Sequence, residues 1–189
     1  TSAWSFTDKL NEDDVRHWTG KKHPLIGVLR VDGKSYRFMG KEETPLKEII
    51  PTAATLSWDA AYTESKPGGD WTSVAFDDRS WKKAKAAFGT DGMPNLTTPW
   101  LSKDIWIRRN FELTENFASV PVYLEYSHDD IFELYINGIE VVATEYTWKN
   151  NVMVELSDEV KATLKPGKNI ITAHCHNRTG GGYVDFGLF

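Results

Sequence analysis

After Trp100, hydrophobic and polar residues alternate with a period of two. Ile105, Ile107, Phe111 and Leu113 share one parity, interleaved with Trp106, Arg108 and Asn110. Val122, Leu124 and Tyr126 alternate with Tyr123 and Glu125, and Phe132, Leu134 and Ile136 alternate with Glu133 and Tyr135. Val152, Val154 and Leu156 continue the pattern, as do Ile171, Ala173 and Cys175 against Thr172, His174 and His176. One apolar and one polar face per strand marks antiparallel sheets that cover a shared core. The parity places Ile107, Phe111, Leu124, Leu134, Val154 and Ala173 inside.

Turn chemistry punctuates the pattern. Asp32-Gly33 separates Leu25–Val31 from Lys34–Met39, and Asn137-Gly138 separates Ile131–Ile136 from Ile139–Thr144. Both dipeptides tolerate the positive φ angles of a two-residue hairpin turn. A further strand is expected around Thr55–Tyr62. Helical periodicity is confined to Ser157–Leu164, where Ser157 can cap the start and Pro166-Gly167 ends the segment. The chain is therefore expected to be all-β: an antiparallel β-sandwich with an N-terminal β-hairpin extension. Residues 1–69 form the extension and residues 70–189 the sandwich, with the division at Gly68-Gly69. An extension with one hairpin buries too little surface to fold alone, so the hairpin is expected to pack on the sandwich.

Composition removes several function classes. The 189 residues carry 22 Lys and Arg against 27 Asp and Glu, a net charge of -5. That balance lacks the basic stripe a nucleic-acid backbone requires. No apolar run approaches the ~20 residues that span a bilayer as a helix. The single cysteine, Cys175, excludes an intramolecular disulfide and leaves the redox compartment open. Eight Trp residues suit both sandwich cores and sugar platforms. The chain opens at Thr1 without a leader-type segment and closes on a strand-like Tyr183–Phe189, so it is expected to be a piece of a longer protein.

Chemistry-bearing clusters are few. His174 and His176 share a strand face, and Asp185 or His128 could join them at a metal, but no third-ligand motif accompanies the pair. Hydrogen-bonding roles are expected for both histidines, and a small-core role for Cys175. Asp129, Asp130 and Glu133 form an acidic cluster, yet adjacent carboxylates on extended chain point apart and make a poor glycosidase pair. Turn and cap roles are expected for them. Gly180-Gly181-Gly182 lacks the helix and Lys of a phosphate loop. No catalytic residue, metal site or cofactor is assigned.

Several motifs resemble a known family in order. Trp71 with Phe76-Asp77-Asp78-Arg79-Ser80-Trp81, then Asp104–Phe111, Leu134–Gly138 and Leu164–Ile171, look like the sugar-binding-type jelly roll of family 2 glycoside hydrolases and related galactose-binding-like modules. The closing His174–Leu188 resembles the end of this module in large secreted bacterial hydrolases. The openings Trp4–Leu10, Arg16–Gly20 and Val31–Lys34 are similar to the N-terminal region of glutaminase-A-like proteins. The resemblance implies a galactose-binding-domain-like jelly roll and a secreted, periplasmic or cell-surface location. It also implies a catalytic region downstream in the same polypeptide, as the principal partner of a noncatalytic module.

Jelly-roll modules that bind carbohydrate use loops at one end of the sandwich, with an aromatic stacked on the sugar. Loop Phe88–Leu101 offers Asp91, Asn95 and Trp100, and segment Glu145–Asn151 offers Trp148. With His176 and Asn177 these six residues are the expected ligand site, and Trp148 and Trp100 its stacking platform. Trp71, Trp81 and Trp106 lie in the fold motifs and are expected to be structural. Three readings remain: an architectural module of a larger hydrolase, a functional carbohydrate-binding module, and a self-contained hydrolase for which no nucleophile, acid and base set is evident.

Overall fold

A computed structural model describes the backbone of strands 26–31 and 34–39, and residues 46–189 in full. The chain divides into two compact units, Thr1–Lys47 and Glu48–Phe189. In the first, β1 (Ile26–Val31) and β2 (Lys34–Met39) pair antiparallel from Ile26↔Met39 to Val31↔Lys34. The closing pair leaves two residues for the turn, the hairpin expected at Asp32-Gly33. Its packing on the sandwich concerns side chains that lie outside the described residues.

The second unit is the sandwich. Its strands are β3 (Asp59–Thr63), β4 (Lys82–Lys85), β5 (Phe88–Gly89), β6 (Thr98–Pro99), β7 (Asp104–Leu113), β8 (Tyr123–Ile136), β9 (Ile139–Glu155), β10 (Gly167–His176) and β11 (Tyr183–Leu188). The hydrogen-bonded order is β4-β3-β7-β10-β8-β11-β5-β6, with β9 on the other edge of β8. All pairings are antiparallel except the short β5–β6 contact.

Strand β8 makes this one sheet into two layers. Its first half pairs with β11 from Leu124↔Leu188 to Asp129↔Tyr183, and its second half pairs with β10 from Ile131↔His176 to Ile136↔Ile171. The strand changes partner between Asp129 and Ile131, and β9 follows it along the opposite edge. Between the layers lie Ile105, Ile107, Leu124, Phe132, Leu134, Ile136, Ala173, Cys175, Val184 and Phe186, all fully buried. Five of the six residues expected inside are buried; Val154 is half-buried against the core.

The turns follow their sequence. Asn137 (φ 49°) and Gly138 (φ 89°) both adopt positive φ in the β8–β9 turn. The Asn137 side chain also donates to Thr163 O and Asn169 Oδ1 and accepts from Ile170 N, fastening the hairpin to β10. Helix α1 (Asp158–Thr163) is capped by Ser157, whose Oγ accepts from Val160 N at 3.3 Å.

Two expectations change. The boundary falls at Lys47/Glu48, not at Gly68-Gly69, because β3 pairs with β4 and β7 and Ile50 bridges to Leu188. Segment 48–69 is thus part of the sandwich unit. Second, Glu145–Asn151 is not a loop: it lies within the 17-residue β9.

Candidate functional site

Most charged side chains in the sandwich have structural work. Arg108, 1% exposed, donates from Nε to Asp78 Oδ2 at 3.0 Å and from its terminal nitrogens to the carbonyls of Trp71, Ser73 and Phe76. It pins the Trp71–Trp81 motif to β7. Trp71 and Trp81 anchor that motif by edge contacts with Tyr135 and Phe76. Arg109 points into the core, where its Nη1 donates to Pro51 O and Phe186 O and its guanidinium lies 4.3 Å from the Trp58 ring. Buried Asp185 accepts from Ala53 N and Trp58 Nε1. Burial pushes the Asp185 carboxyl up to about 6, against the hydrogen bonds and the Arg109 charge that favour its ionised form.

His174 and His176 do share a face, as expected, and the group between them is Asp104 rather than Asp185 or His128. Asp104 Oδ1 lies 2.9 Å from both His174 Nε2 and His176 Nδ1. Cross-strand pairing Asp104↔His176 and Trp106↔His174 sets this geometry, and the His174 ring stacks on Trp106 at 4.5 Å. Burial opposes ionisation of Asp104, but its two imidazole partners hold its pKa below the ordinary value. Among the described residues no group of three His, Cys, Asp or Glu side chains is arranged to hold a metal ion.

The acidic cluster is not a turn. Asp129 and Asp130 sit in β8 where it changes partner. Asp130 Oδ2 accepts from Arg178 N at 2.7 Å and Thr179 N at 3.1 Å, so it caps the β10–β11 loop across the sheet. Burial, with the Asp130 carboxyl beside it, raises Asp129 to about 6.

The six expected ligand residues do not converge. Trp100 is 1% exposed; its Nε1 donates to Ser102 Oγ and its ring is covered by Gly182, where a Cβ would come within 2.6 Å. Trp100 is a core residue and not a platform: its backbone N–H donates to Gly89 O, which turns the indole inward. Asn177 lies on the same Gly182 turn, its N–H donating to Lys103 O and its Nδ2 to Gly180 O. His176 is engaged with Asp104. Asp91 is exposed, and Asn95 is a turn residue with φ 56° whose carbonyl accepts from Ala87 N. Among the described residues, no hydrogen bond or ring contact joins any of these to Trp148. A concavity of about 470 Å3 lined by Asp59, Ala61, Lys83, Lys85, Arg108 and Asn110 contains none of the six.

Of the two expected platform tryptophans, Trp148 is the one that faces solvent, at 63% exposure, with Tyr146 at 53%. The register explains why. From Phe132↔Thr144 to Asp130↔Thr147, β8 advances two residues and β9 three; from Tyr126↔Val152 to His128↔Lys149 the same mismatch recurs. Each extra residue is a β-bulge, which reverses the side-chain alternation. Val142 and Val154 face the core, and between the bulges residues of the same parity, Tyr146 and Trp148, face out. Beside them Arg178 places its guanidinium 5.3 Å from the Tyr146 ring, and Tyr146 Oη lies 3.1 Å from Thr179 Oγ1. Tyr146, Asp129, Arg178 and Thr179 lie outside the six residues that the sequence assigns to a ligand site; the signal that could have raised them is the aromatic pair at i, i+2 flanked by polar residues.

A family described as a domain of unknown function (DUF4964) matches residues 1–51. No curated protein matches the chain in sequence. Among solved structures it is similar to a β-glucuronidase from glycoside hydrolase family 2, at 18% identity and TM-score 0.49, covering 70% of this chain and 17% of that one. It is similar to a β-glycosidase from Bacteroides vulgatus at 14% identity and TM-score 0.46, covering 70% and 20%. It is also similar to Bacteroides uniformis β-glucuronidase 2 at 16% identity and TM-score 0.48, covering 70% and 17%. The chain thus spans about a fifth of the length of these proteins.

Proposed function

We propose that this chain is a noncatalytic module of a larger secreted bacterial hydrolase, of the glycoside hydrolase or glutaminase-A-like kind, that provides architecture and positions substrate. The observation that carries the reading is the employment of its carboxylates. Asp78 serves Arg108, Asp104 serves two histidines, Asp130 serves two backbone N–H groups, and Asp185 serves Ala53 and Trp58. A hydrolase needs a carboxylate or nucleophile free to meet substrate beside a second group of matched protonation. Here these four are committed to holding strands and loops in place. Partial coverage of much longer hydrolases is compatible with this reading.

The test is a turnover assay on the pure chain with L-glutamine and with aryl β-glycosides and β-glucuronides. No turnover above background is expected, from the wild type or from Asp129→Asn, Asp130→Asn or Glu133→Gln. Robust turnover lost on one of these substitutions would overturn the reading.

A further inference from the structure

We propose that Tyr146 and Trp148 on β9, with Asp129 and Arg178 beside them, form a binding face for a neutral polysaccharide chain, two of whose sugar rings lie on the two aromatic rings. The inference rests on reading the chain as a noncatalytic module, and it adds a ligand class and a surface.

Two β-bulges are spent on turning this stretch of β9 outward, bracketing residues 146–149. Bulges of this kind re-aim side chains beside functional sites. Without them the two rings would enter the core with Val142 and Val154. The register Thr147↔Asp130, Trp148↔Asp129 and Lys149↔His128 is regular around Trp148, and Tyr146, at the first bulge, is exposed beside it. Two residues of extended chain separate their Cα atoms by about 7 Å, on the scale of one sugar residue. An aromatic face matches the apolar face of a pyranose, and the exposed Trp148 ring lacks such cover.

The rim is polar and already ordered. Asp129 is the cross-strand partner of Trp148, so its carboxyl stands on the same face, with Cβ atoms about 5 Å apart. Arg178 and Thr179 flank Tyr146, and Asp130 holds both of their backbone N–H groups. A hydroxyl-rich ligand therefore meets donors and acceptors whose ordering cost is already met by the fold. The Asp129 carboxyl beside Trp148 disfavours an acidic sugar there. A protein partner fits less well: two half-exposed aromatic rings offer about 200 Å2, against about 800 Å2 per partner in a standard interface.

Affinity electrophoresis of the 189-residue chain through mixed-linkage β-glucan, xyloglucan and galactomannan, with polygalacturonate as the acidic comparison, tests the proposal. At least one neutral polysaccharide should retard the protein. Trp148→Ala should weaken that binding about tenfold or more, and Tyr146→Ala and Asp129→Asn should weaken it too. Leu56→Ala, which removes another exposed apolar side chain, should leave it unchanged. Thermal melts should show all four variants folded. The proposal is overturned if no neutral polysaccharide retards the chain, if polygalacturonate alone does, or if folded Trp148→Ala binds like wild type. None of these outcomes touches the noncatalytic reading, which falls only to turnover in the hydrolysis assay.

Discussion

Replacing Arg108 with Met tests how much of the sandwich depends on one buried cation. The guanidinium joins Asp78 to the carbonyls of Trp71, Ser73 and Phe76 and lies 5.0 Å from the Phe76 ring. Met fills most of the volume but leaves these four acceptors without their donor. Removing one partner of a buried pair costs about 3–5 kcal/mol when the other is stranded. Asp78 is not fully stranded, since Lys83 Nζ remains 2.8 Å away and the Asp78 side chain is 15% exposed. The loss should sit at the low end, about 3 kcal/mol. With a urea m-value of about 2 kcal/mol/M, the midpoint falls by about 1.5 M. Urea unfolding followed by Trp fluorescence at pH 7 measures it. A cycle with Asp78→Asn should give a coupling of about 1.5–3 kcal/mol. A loss below about 1 kcal/mol, or independent effects of the two substitutions, would show that Arg108 does not organise the 71–81 motif.

Trp100→Ala should cost about 3–5 kcal/mol as a core truncation, whereas Trp148→Ala should leave the melting temperature nearly unchanged; equal effects would refute their assignment to core and surface. Gly182→Ala should destabilise by about 1–3 kcal/mol through collision with the Trp100 ring, visible as a lowered urea midpoint; an unchanged midpoint would show that the ring yields freely. Burial lowers His128 from 6.5 to about 4, so the neutral ring contributes stability above pH 6.5 that is lost as pH falls towards 4. Between pH 7.5 and pH 5 this term should remove about 2 kcal/mol. His128→Phe, which preserves the stack with Tyr126 and Phe132, should abolish that part of the pH dependence; parallel stability curves for the two proteins would refute the account.

The layers and hairpins were legible because the signals behind them are local. Period-two parity needs only a strand and one wet face, and Asn137-Gly138 needs only two positive φ angles. The same parity sorted Ile107, Leu124, Leu134 and Ala173 correctly. It misread charge: Arg109 shares the parity of Ile107 and Phe111 and is buried, because backbone carbonyls and the Trp58 face receive its guanidinium. Its partners lie 58 and 77 residues away, and nothing near Arg109 in sequence announces them. The turn role expected for Asp129 and Asp130 failed for a related reason. There a continuous strand passes from one layer to the other, and Ser127 and Asp130 are satisfied across the sheet by Asn150, Asn151, Arg178 and Thr179.

The candidate site shows where parity stops being information. Trp100 and Trp148 both sit among polar and turn residues, and both read as loop aromatics. Trp100 is covered by Gly182, a contact that requires a residue without a Cβ 82 positions later in the chain. Trp148 has the parity of Val142 and Val154 and by simple alternation would be inside with them. Two extra residues in β9, one on each side of it, reverse that answer. A bulge leaves only a weak local trace in composition, because it is defined by the count of residues on the partner strand. Exposure of Trp148 is therefore a property of the β8–β9 pair and not of either strand alone. It follows that inserting one residue into β8 opposite each bulge, which restores one-to-one pairing without shortening β9, should turn Tyr146 and Trp148 to the core face, and binding by this face should vanish with them.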